Sequence, residues 1–276
     1  MNKTMLTSSI VALILAIGST TIQVHAEENV NVLSSEVAND IELTAEQKEA
    51  LEFYEEYKEV FNEDEAEPEV LSLRSYDDNQ LALRQGNVIE AFLNEDEGLS
   101  LRDMKRIKEY ADEARDTAKK YYKNDSQLED AYRHFLWNYL SANDSRLGKV
   151  STRVATTNHE WGLLLRNDAL DYYGDSLSTL IKTGMSSNAA ISAAFADTLN
   201  ELPKMKKNKI RSFSDFKRYV DDSNVMDWNN NEFGRYYSYM KDKDDAFKQA
   251  KPFLILAEKK VSSSDYRKVY DGGWWK

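Results

Sequence analysis

The chain has 276 residues, no cysteine and a formal net charge of −12 at pH 7. The absence of cysteine excludes a disulfide framework, a cysteine nucleophile and thiolate metal ligands. The acidic balance disfavours nucleic acid as a partner, because the phosphate backbone is also negatively charged.

The first 26 residues predict a signal peptide. They combine a positively charged start, an apolar run and the small-residue pattern Val24-His25-Ala26, so cleavage is expected after Ala26. No later segment has the roughly 20 apolar residues that a membrane-spanning helix needs. The sequence therefore predicts a secreted, extracellular protein without a membrane span.

The rest of the chain predicts an all-α protein. The whole chain contains only 3 prolines and 10 glycines, and the apolar residues after position 26 recur at steps of three and four. Residues 27–96 are dense in acidic side chains and are expected to form a partly helical N-terminal arm, with a capping box at Thr44 and Gln47. Residues 97–276 are expected to form a single compact helical domain. The final "DGGWWK" is expected to pack onto that domain rather than to offer an exposed aromatic contact to a partner.

The stretch "SQLEDAYRHFLWN" predicts a helix with two unlike faces. Ser126 and Glu129 form a capping box that would begin the helix at about Gln127. A helical projection places one apolar set on the core side, namely Leu128, Ala131, Tyr132, Phe135, Leu136 and Tyr139. The opposite side carries a polar and aromatic set, namely Asp130, Arg133, His134, Trp137, Asn138 and Ser141. Because this second set is not the Lys/Glu mixture of a solvated face, a second layer or a cleft is expected over it.

Asp130 and His134 are spaced for contact on this helix. Residues four apart lie on the same face, so the carboxylate could hold one imidazole nitrogen and leave the other facing outward. That arrangement suits a general base, or a metal ligand with its outer partner. The alternative is a buried polar network that only orients neighbouring helices, and this helix alone does not decide between the two.

The segment "TTNHEWG" carries a second histidine, His159, followed by Glu160. Both lie off the apolar stripe of their predicted helix, and Gly162 on the histidine side would let another backbone approach closely. The pair is not a zinc-protease motif, which requires a second histidine where Leu163 stands. A surface His-Glu pair is the alternative interpretation.

The segment "NVMDWNNNEFGRYY" is the third polar stretch. Asp227 is expected to cap a helix there. Three consecutive asparagines, 229–231, are unfavourable inside a helix, so capping or hydrogen bonding to a ligand is expected of them. A plain helix start is the alternative.

Together, "DAYRHFLWN", "NHE" and "MDWNNNEFGR" resemble the three motifs of an uncharacterised bacterial domain family that occurs in secreted proteins and at the ends of polymorphic toxins. The family pattern is approximately D-A-F-R-H-x-x-W-N, then A-H-E, then M-D-x-H-N-N-x-x-G-R, and the resemblance covers about residues 130–235. The resemblance implies no particular reaction. Asn158 stands where the family often has alanine, and Asn229 where it often has histidine, which puts a three-histidine metal site in doubt.

These patterns lead to the hypothesis of an exported hydrolase-like protein that acts on a small-molecule or lipid-like substrate, with a phosphoester or lipid-like ester as the bond attacked. The expected catalytic residues are Asp130, Arg133, His134, His159 and Glu160. The expected substrate-binding residues are Trp137, Asn138, Asp227, Asn230, Asn231 and Arg235. A divalent metal is left open as a cofactor, with a metal-free site preferred. The alternative is a non-catalytic cell-surface or effector binding protein in which the same residues form a structural polar network.

Overall fold

The computed structural model describes residues 43–61 and 75–276. The predicted signal peptide and the parts of the predicted arm at 27–42 and 62–74 lie outside the described residues. Within the described ranges, no helix has both the length and the apolar content that crossing a membrane requires.

The described residues form twelve α-helices and no strand, which confirms the all-α class. The helices are α1 Ala45–Phe61, α2 Tyr76–Gln85, α3 Asn87–Asp96, α4 Leu101–Tyr122, α5 Ser126–Asn143, α6 Gly148–Leu164, α7 Arg166–Lys182, α8 Ser187–Lys209, α9 Phe213–Tyr219, α10 Asp222–Tyr237, α11 Lys243–Ala250 and α12 Ser263–Gly272. Short 3-10 helices at Lys251–Phe253 and Glu258–Lys260 connect α11 to α12.

Helix α1 begins at the predicted capping box. The Gln47 backbone N–H donates to Thr44 Oγ1 at 3.2 Å, and the Thr44 backbone N–H donates to Gln47 Oε1 at 2.9 Å. Helix α5, in contrast, is capped by Asp125, whose side chain accepts from the Leu128 backbone N–H at 3.0 Å. Aspartate caps a helix as well as serine does, so α5 begins slightly earlier than the sequence predicts.

Helices α1 to α3, which precede the boundary expected at residue 97, pack into the core. Tyr54 of α1 makes an edge-on contact with Phe195 of α8, with ring centroids 5.1 Å apart. Leu83 of α2 and Ile89 of α3 are fully buried. The density of acidic residues concealed short apolar stripes in this stretch, and burial of those stripes attaches the three helices to the domain.

The core consists of two apolar clusters. One is centred on Trp161 and Trp228, and the other on Tyr132 and Phe135 of α5. Helices α3, α6 and α10 contribute residues to both clusters, and α5 packs between α4 and α10. The polar side chains of "DAYRHFLWN", "NHE" and "MDWNNNEFGR" lie where α5, α6 and α10 meet.

The C-terminal residues close the first cluster, which confirms the packing prediction for the tail. The Trp161 indole N–H donates to the Trp275 carbonyl oxygen at 2.7 Å, and the two rings lie 6.3 Å apart. Trp275 is itself buried. The indole N–H of Trp161 therefore has its hydrogen-bond acceptor in the backbone of Trp275, 114 residues later.

Candidate functional site

A chain of buried amide hydrogen bonds connects α10 to α5. The Arg235 guanidinium, which can only donate, donates from NH1 to Asn138 Oδ1 at 2.6 Å and to Thr156 Oγ1 at 2.9 Å. Asn138 must then present its Nδ2 in the other direction, where it donates to Asn231 Oδ1 at 2.6 Å. We call Arg235, Asn138 and Asn231 the amide relay, and all three side chains are buried.

The amide relay sets the tautomer of His134. Asn231 Oδ1, oriented as an acceptor by Asn138, lies 3.1 Å from His134 Nδ1. Nδ1 must therefore carry the proton, and Nε2 keeps its lone pair. Burial, followed by the positive charges of Arg133 and His159, lowers the pKa of His134 well below its usual value. His134 is thus a neutral imidazole whose Nε2 lone pair can accept a hydrogen bond or bind a cation.

Three side chains surround that Nε2 atom. The Arg133 Nη2 atom lies 2.7 Å from Nε2. Asp227 Oδ1 lies 3.2 Å from Nε2, and Asp130 Oδ1 lies 3.8 Å from it. The same Arg133 nitrogen donates to Asp130 Oδ1 at 2.5 Å. The expected hydrogen bond between His134 and the Asp130 carboxylate is therefore absent, because the guanidinium lies between them and Asn231 orients the imidazole instead.

Asp227 has an oxygen without a donor. The predicted role of Asp227 as a helix cap is wrong, because α10 begins at Asp222 with Asp221 as its cap, and Asp227 lies inside the helix. The residue is 9% exposed, and its Oδ1 receives no hydrogen bond from any described residue. Burial raises the pKa of Asp227 well above its usual value, and the nearby carboxylates of Glu160 and Asp130 raise it further. The pKa rises chiefly because burial removes water from the charged carboxylate.

His159 pairs with Glu90 rather than with its neighbour Glu160. His159 Nδ1 lies 2.9 Å from Glu90 Oε2, and the ring packs edge-on against Trp137 at 5.4 Å. The close backbone approach expected at Gly162 is present: a Cβ there would lie 2.7 Å from the Gly86 carbonyl oxygen. This contact between α6 and the start of α3 brings Glu90 to His159, and Glu90 is a site residue that sequence reasoning missed.

The Glu90 carboxylate makes His159 a cation at neutral pH. Burial alone would lower the pKa of His159, but the charge and hydrogen bond of Glu90 outweigh it and raise the pKa to about 9. The two histidines therefore differ in charge: His134 is neutral and His159 is protonated. Environments that separate two pKa values in this way are typical of acid and base partners.

Glu160 lies on the interior side of α6. It is buried, its Oε2 accepts from Asn224 Nδ2 at 3.2 Å, and its Oε1 has no donor among the described residues. Burial raises the pKa of Glu160, which favours the neutral carboxylic acid. Glu160 belongs to the buried polar interior and does not contact His159 as an ion pair.

A cavity of about 330 Å³ opens beside this polar cluster. Its polar end is formed by Arg133, His159, Glu90 and Trp137, and its other walls come mainly from apolar side chains of α1 and α4. Those apolar residues are Tyr57, Phe61, Met104, Ile107 and Ala111. Of the residues expected to bind substrate, only Trp137 lines this cavity, and its indole N–H donates to the Ile107 carbonyl oxygen at 3.0 Å.

The consecutive asparagines bind three different parts of the protein. Asn229 Nδ2 donates to the Phe253 carbonyl oxygen at 3.1 Å, and Asn230 exchanges two 2.9 Å hydrogen bonds with the backbone of Ile255. Asn231 alone faces His134. Position 229 therefore contacts the segment after α11 and not the histidine cluster, so the departure from the family pattern at Asn229 removes no group from the vicinity of His134.

One group of potential metal ligands occurs in the described part of the chain. It consists of Asp130, His134 and Asp227, each of which offers one atom within 4.8 Å of the others. His159 and Glu160 do not belong to it.

The charge state of His159 gives a first prediction. Its imidazole should titrate by NMR with a midpoint near pH 9, and Glu90→Gln should lower that midpoint. Because the folded-state pKa exceeds the usual 6.5, the contribution of the His159–Glu90 pair to stability should be complete below about pH 6.5 and lost as the pH rises through 9. Urea unfolding of wild type and Glu90→Gln should therefore differ at pH 6 and converge above pH 9.

The His159 signal is assigned by its loss in His159→Asn. A titration midpoint near pH 6.5 in the wild-type protein would contradict the ion pair as the source of the shift.

Comparison of the chain with models of protein families, with curated proteins and with solved structures returns no match. A fold alone does not identify a function, so the function has to be argued from the chemistry of the site.

Proposed function

We propose that this protein is a hydrolase that cleaves an ester bond next to an anionic group, with a phosphoester as the best fit. The observation that carries the proposal is the position of Arg133. Its guanidinium lines the cavity and at the same time donates to Asp130 and to His134 Nε2. A substrate anion held by Arg133 would therefore have its ester bond beside the acceptor atoms of the polar cluster.

The charges at the polar end of the cavity suit an anion. The Arg133 side chain is 32% exposed, so it can donate to a ligand as well as to Asp130. Guanidinium groups bind phosphate oxygens through two parallel hydrogen bonds. His159, protonated at neutral pH, adds a second cation on the same wall.

The two histidines support hydrolysis as the reaction class. A water molecule would attack the phosphorus or acyl carbon, and its proton would pass to the acceptor cluster of Asp130, His134 and Asp227. The bond to the leaving oxygen would break as the protonated His159 transfers a proton to that oxygen, so that an alcohol departs. Positioned acid and base groups of this kind usually contribute about 10²–10⁴-fold to a rate.

The apolar walls suggest the rest of the substrate. Met104, Ile107 and Ala111 of α4 line the cavity, together with the charged Lys108, Asp112 and Arg115 of the same helix. Such a cavity favours a lipid-like or aromatic group attached to the anionic ester. The amino-terminal pattern of residues 1–26 supports action outside the cell as part of this proposal.

One observation favours a non-catalytic alternative. The amide relay of Arg235, Asn138 and Asn231 is buried and does not line the cavity. A cell-surface or effector binding protein could use the same residues only to hold α5, α6 and α10 together. In the hydrolase, these residues are positioning residues that act through the tautomer of His134.

An assay with chromogenic esters tests the proposal. The purified protein should hydrolyse at least one of p-nitrophenyl phosphate and bis-p-nitrophenyl phosphate. Arg133→Ala and His159→Gln should each reduce kcat/KM by about 10²-fold or more while the proteins remain folded. Arg102→Ala, which changes an exposed arginine on α4, is the control and should leave the rate unchanged.

The non-catalytic binding protein would instead be favoured if these variants had lower melting temperatures and the wild-type protein hydrolysed none of the esters.

A further inference from the structure

We propose that Asp130, His134 and Asp227 bind one divalent transition-metal cation, of the zinc or manganese class, in the position that the Arg133 guanidinium occupies. The binding of the cation does not depend on the proposed hydrolase activity. Its role as a catalyst does rest on that proposed function.

The spacing of the three ligand atoms suits such an ion. His134 Nε2 lies 3.2 Å from Asp227 Oδ1 and 3.8 Å from Asp130 Oδ1. Nitrogen and oxygen ligands lie about 2.0–2.2 Å from zinc, so neighbouring ligands in a tetrahedron are roughly 3.4 Å apart. Small side-chain rotations would bring all three atoms to that spacing. Three protein ligands leave one position for water or substrate, as in catalytic zinc sites.

The arrangement of acceptors points to a missing positive charge. The amide relay leaves a lone pair on His134 Nε2, and Asp227 Oδ1 faces this atom without a donor of its own. Two acceptors at this separation repel each other unless a proton or a cation lies between them. Asp227 is nine-tenths buried, so bulk water does not screen the repulsion.

The remaining contacts of His134 match those of a metal ligand. Metal-bound histidine usually donates its other ring N–H to a carbonyl or carboxylate oxygen, which sets the ring orientation. Here His134 Nδ1 donates to Asn231 Oδ1, which is held in turn by Asn138. Nitrogen and carboxylate ligands without thiolate fit zinc and manganese better than copper(I).

Arg133 would have to leave for the cation to enter. Its NH2 nitrogen contacts both His134 Nε2 and Asp130 Oδ1, so it neutralises two of the three ligands. The cavity beside Arg133 has room for its side chain to turn outward. There the guanidinium would bind the substrate anion while the cation polarises the ester and its attacking water.

Calorimetry on the full chain tests the cation site directly. Protein purified without a histidine tag and treated with a chelator should bind one equivalent of Zn²⁺ or Mn²⁺, and its melting temperature should rise with the metal. Asp227→Asn and Asp130→Asn should each weaken binding at least tenfold. His159→Gln and Glu160→Gln, which change residues outside this ligand group, should not weaken it.

Arg133→Met makes the test sharper, because a merely damaged fold would not bind metal more tightly. This variant removes the competing guanidinium and should bind the cation more tightly than wild type. Absence of binding in both wild type and Arg133→Met would overturn the proposal and leave a proton on Asp227 as the group between the two acceptors. Equal loss of binding in His159→Gln would also overturn the assignment of ligands.

The predictions of metal binding and of ester hydrolysis can be contradicted independently of each other. One bound equivalent with no ester hydrolysis would retain the cation site and defeat the proposed function. Full hydrolysis by the chelator-treated protein would defeat the catalytic role of the metal.

Discussion

Arg235→Met should lower the free energy of unfolding by about 3–5 kcal/mol, the usual effect of removing one partner from a buried charged network. Arg235 is 4% exposed and donates to Asn138, Thr156 and Glu232. Methionine fills much of the same space, but it leaves the Glu232 carboxylate without this donor and leaves Asn138 Oδ1 with only the Thr156 hydroxyl as a donor. The loss of hydrogen bonds, rather than a cavity, should therefore dominate the effect.

Thermal unfolding measures this effect. At about 2–4 °C per kcal/mol for a protein of this size, the melting temperature should fall by roughly 6–20 °C. Arg218→Met is a matched control, because Arg218 forms an ion pair of the same spacing with Asp215 at 2.9 Å but is 65% exposed. It should change the melting temperature little, since exposed pairs contribute little to stability. Similar losses in the two variants would contradict the role given to burial.

Arg235→Met should also change the protonation of His134. Without the guanidinium, only Thr156 and the His134 carbonyl oxygen hold the Asn138 amide beside Asn231, so Asn231 is less firmly constrained to present an acceptor to Nδ1. Nitrogen-15 NMR of the imidazole should then show a mixture of tautomers in place of the Nδ1–H form. A purely structural role for Arg235 would leave the tautomer unchanged in the folded variant.

Gly234→Ala should destabilise the protein by about 1–3 kcal/mol or more, as overpacking of a rigid contact does. A Cβ on Gly234 would lie 2.8 Å from Asn138 Cβ and would collide with the Phe135 carbonyl oxygen. The nearest atoms belong to the backbone and Cβ of α5, so α10 would have to move away from it. That movement would also separate Asn231 from His134.

Gly174→Ala is the control for this substitution. Gly174 lies inside α7, and a Cβ there meets nothing within 4 Å. Alanine should therefore stabilise the helix by about 0.5–1 kcal/mol. Opposite signs for the two glycine substitutions, measured by urea unfolding, are the expected result, and equal signs would contradict the close contact between α5 and α10.

Sequence patterns predicted those parts of the structure that depend on local spacing. The division of α5 into an apolar face and a polar face follows from the helical period. The burial of the polar face by other helices was also expected, because water would otherwise surround the Trp137 side chain. The capping box at Thr44 is also a local feature, because it needs only the residues within one turn. The glycine at position 162 predicts a close approach but does not specify Gly86 as the partner.

Contacts between distant segments could not be predicted in this way. Glu90 lies 69 positions before His159, and no pattern in either segment specifies that α3 meets α6 at that point. The direction of an asparagine side chain is set by its partners, so the separate roles of Asn229, Asn230 and Asn231 become visible only in the folded chain. Spacing allowed a bond from Asp130 to His134, but the guanidinium of Arg133 on the same turn competes for both groups.

The hydrogen bond between Trp161 and Trp275 has a consequence for the order of events during synthesis. The ribosome makes Trp161 114 residues before the carbonyl oxygen that its indole N–H needs. Until then, α6 can form as a helix but cannot bury this indole against its final neighbour. Closure of that part of the core must therefore wait until Trp275 leaves the ribosome, and a nascent chain stalled before Trp275 would leave the Trp161 indole N–H without its acceptor.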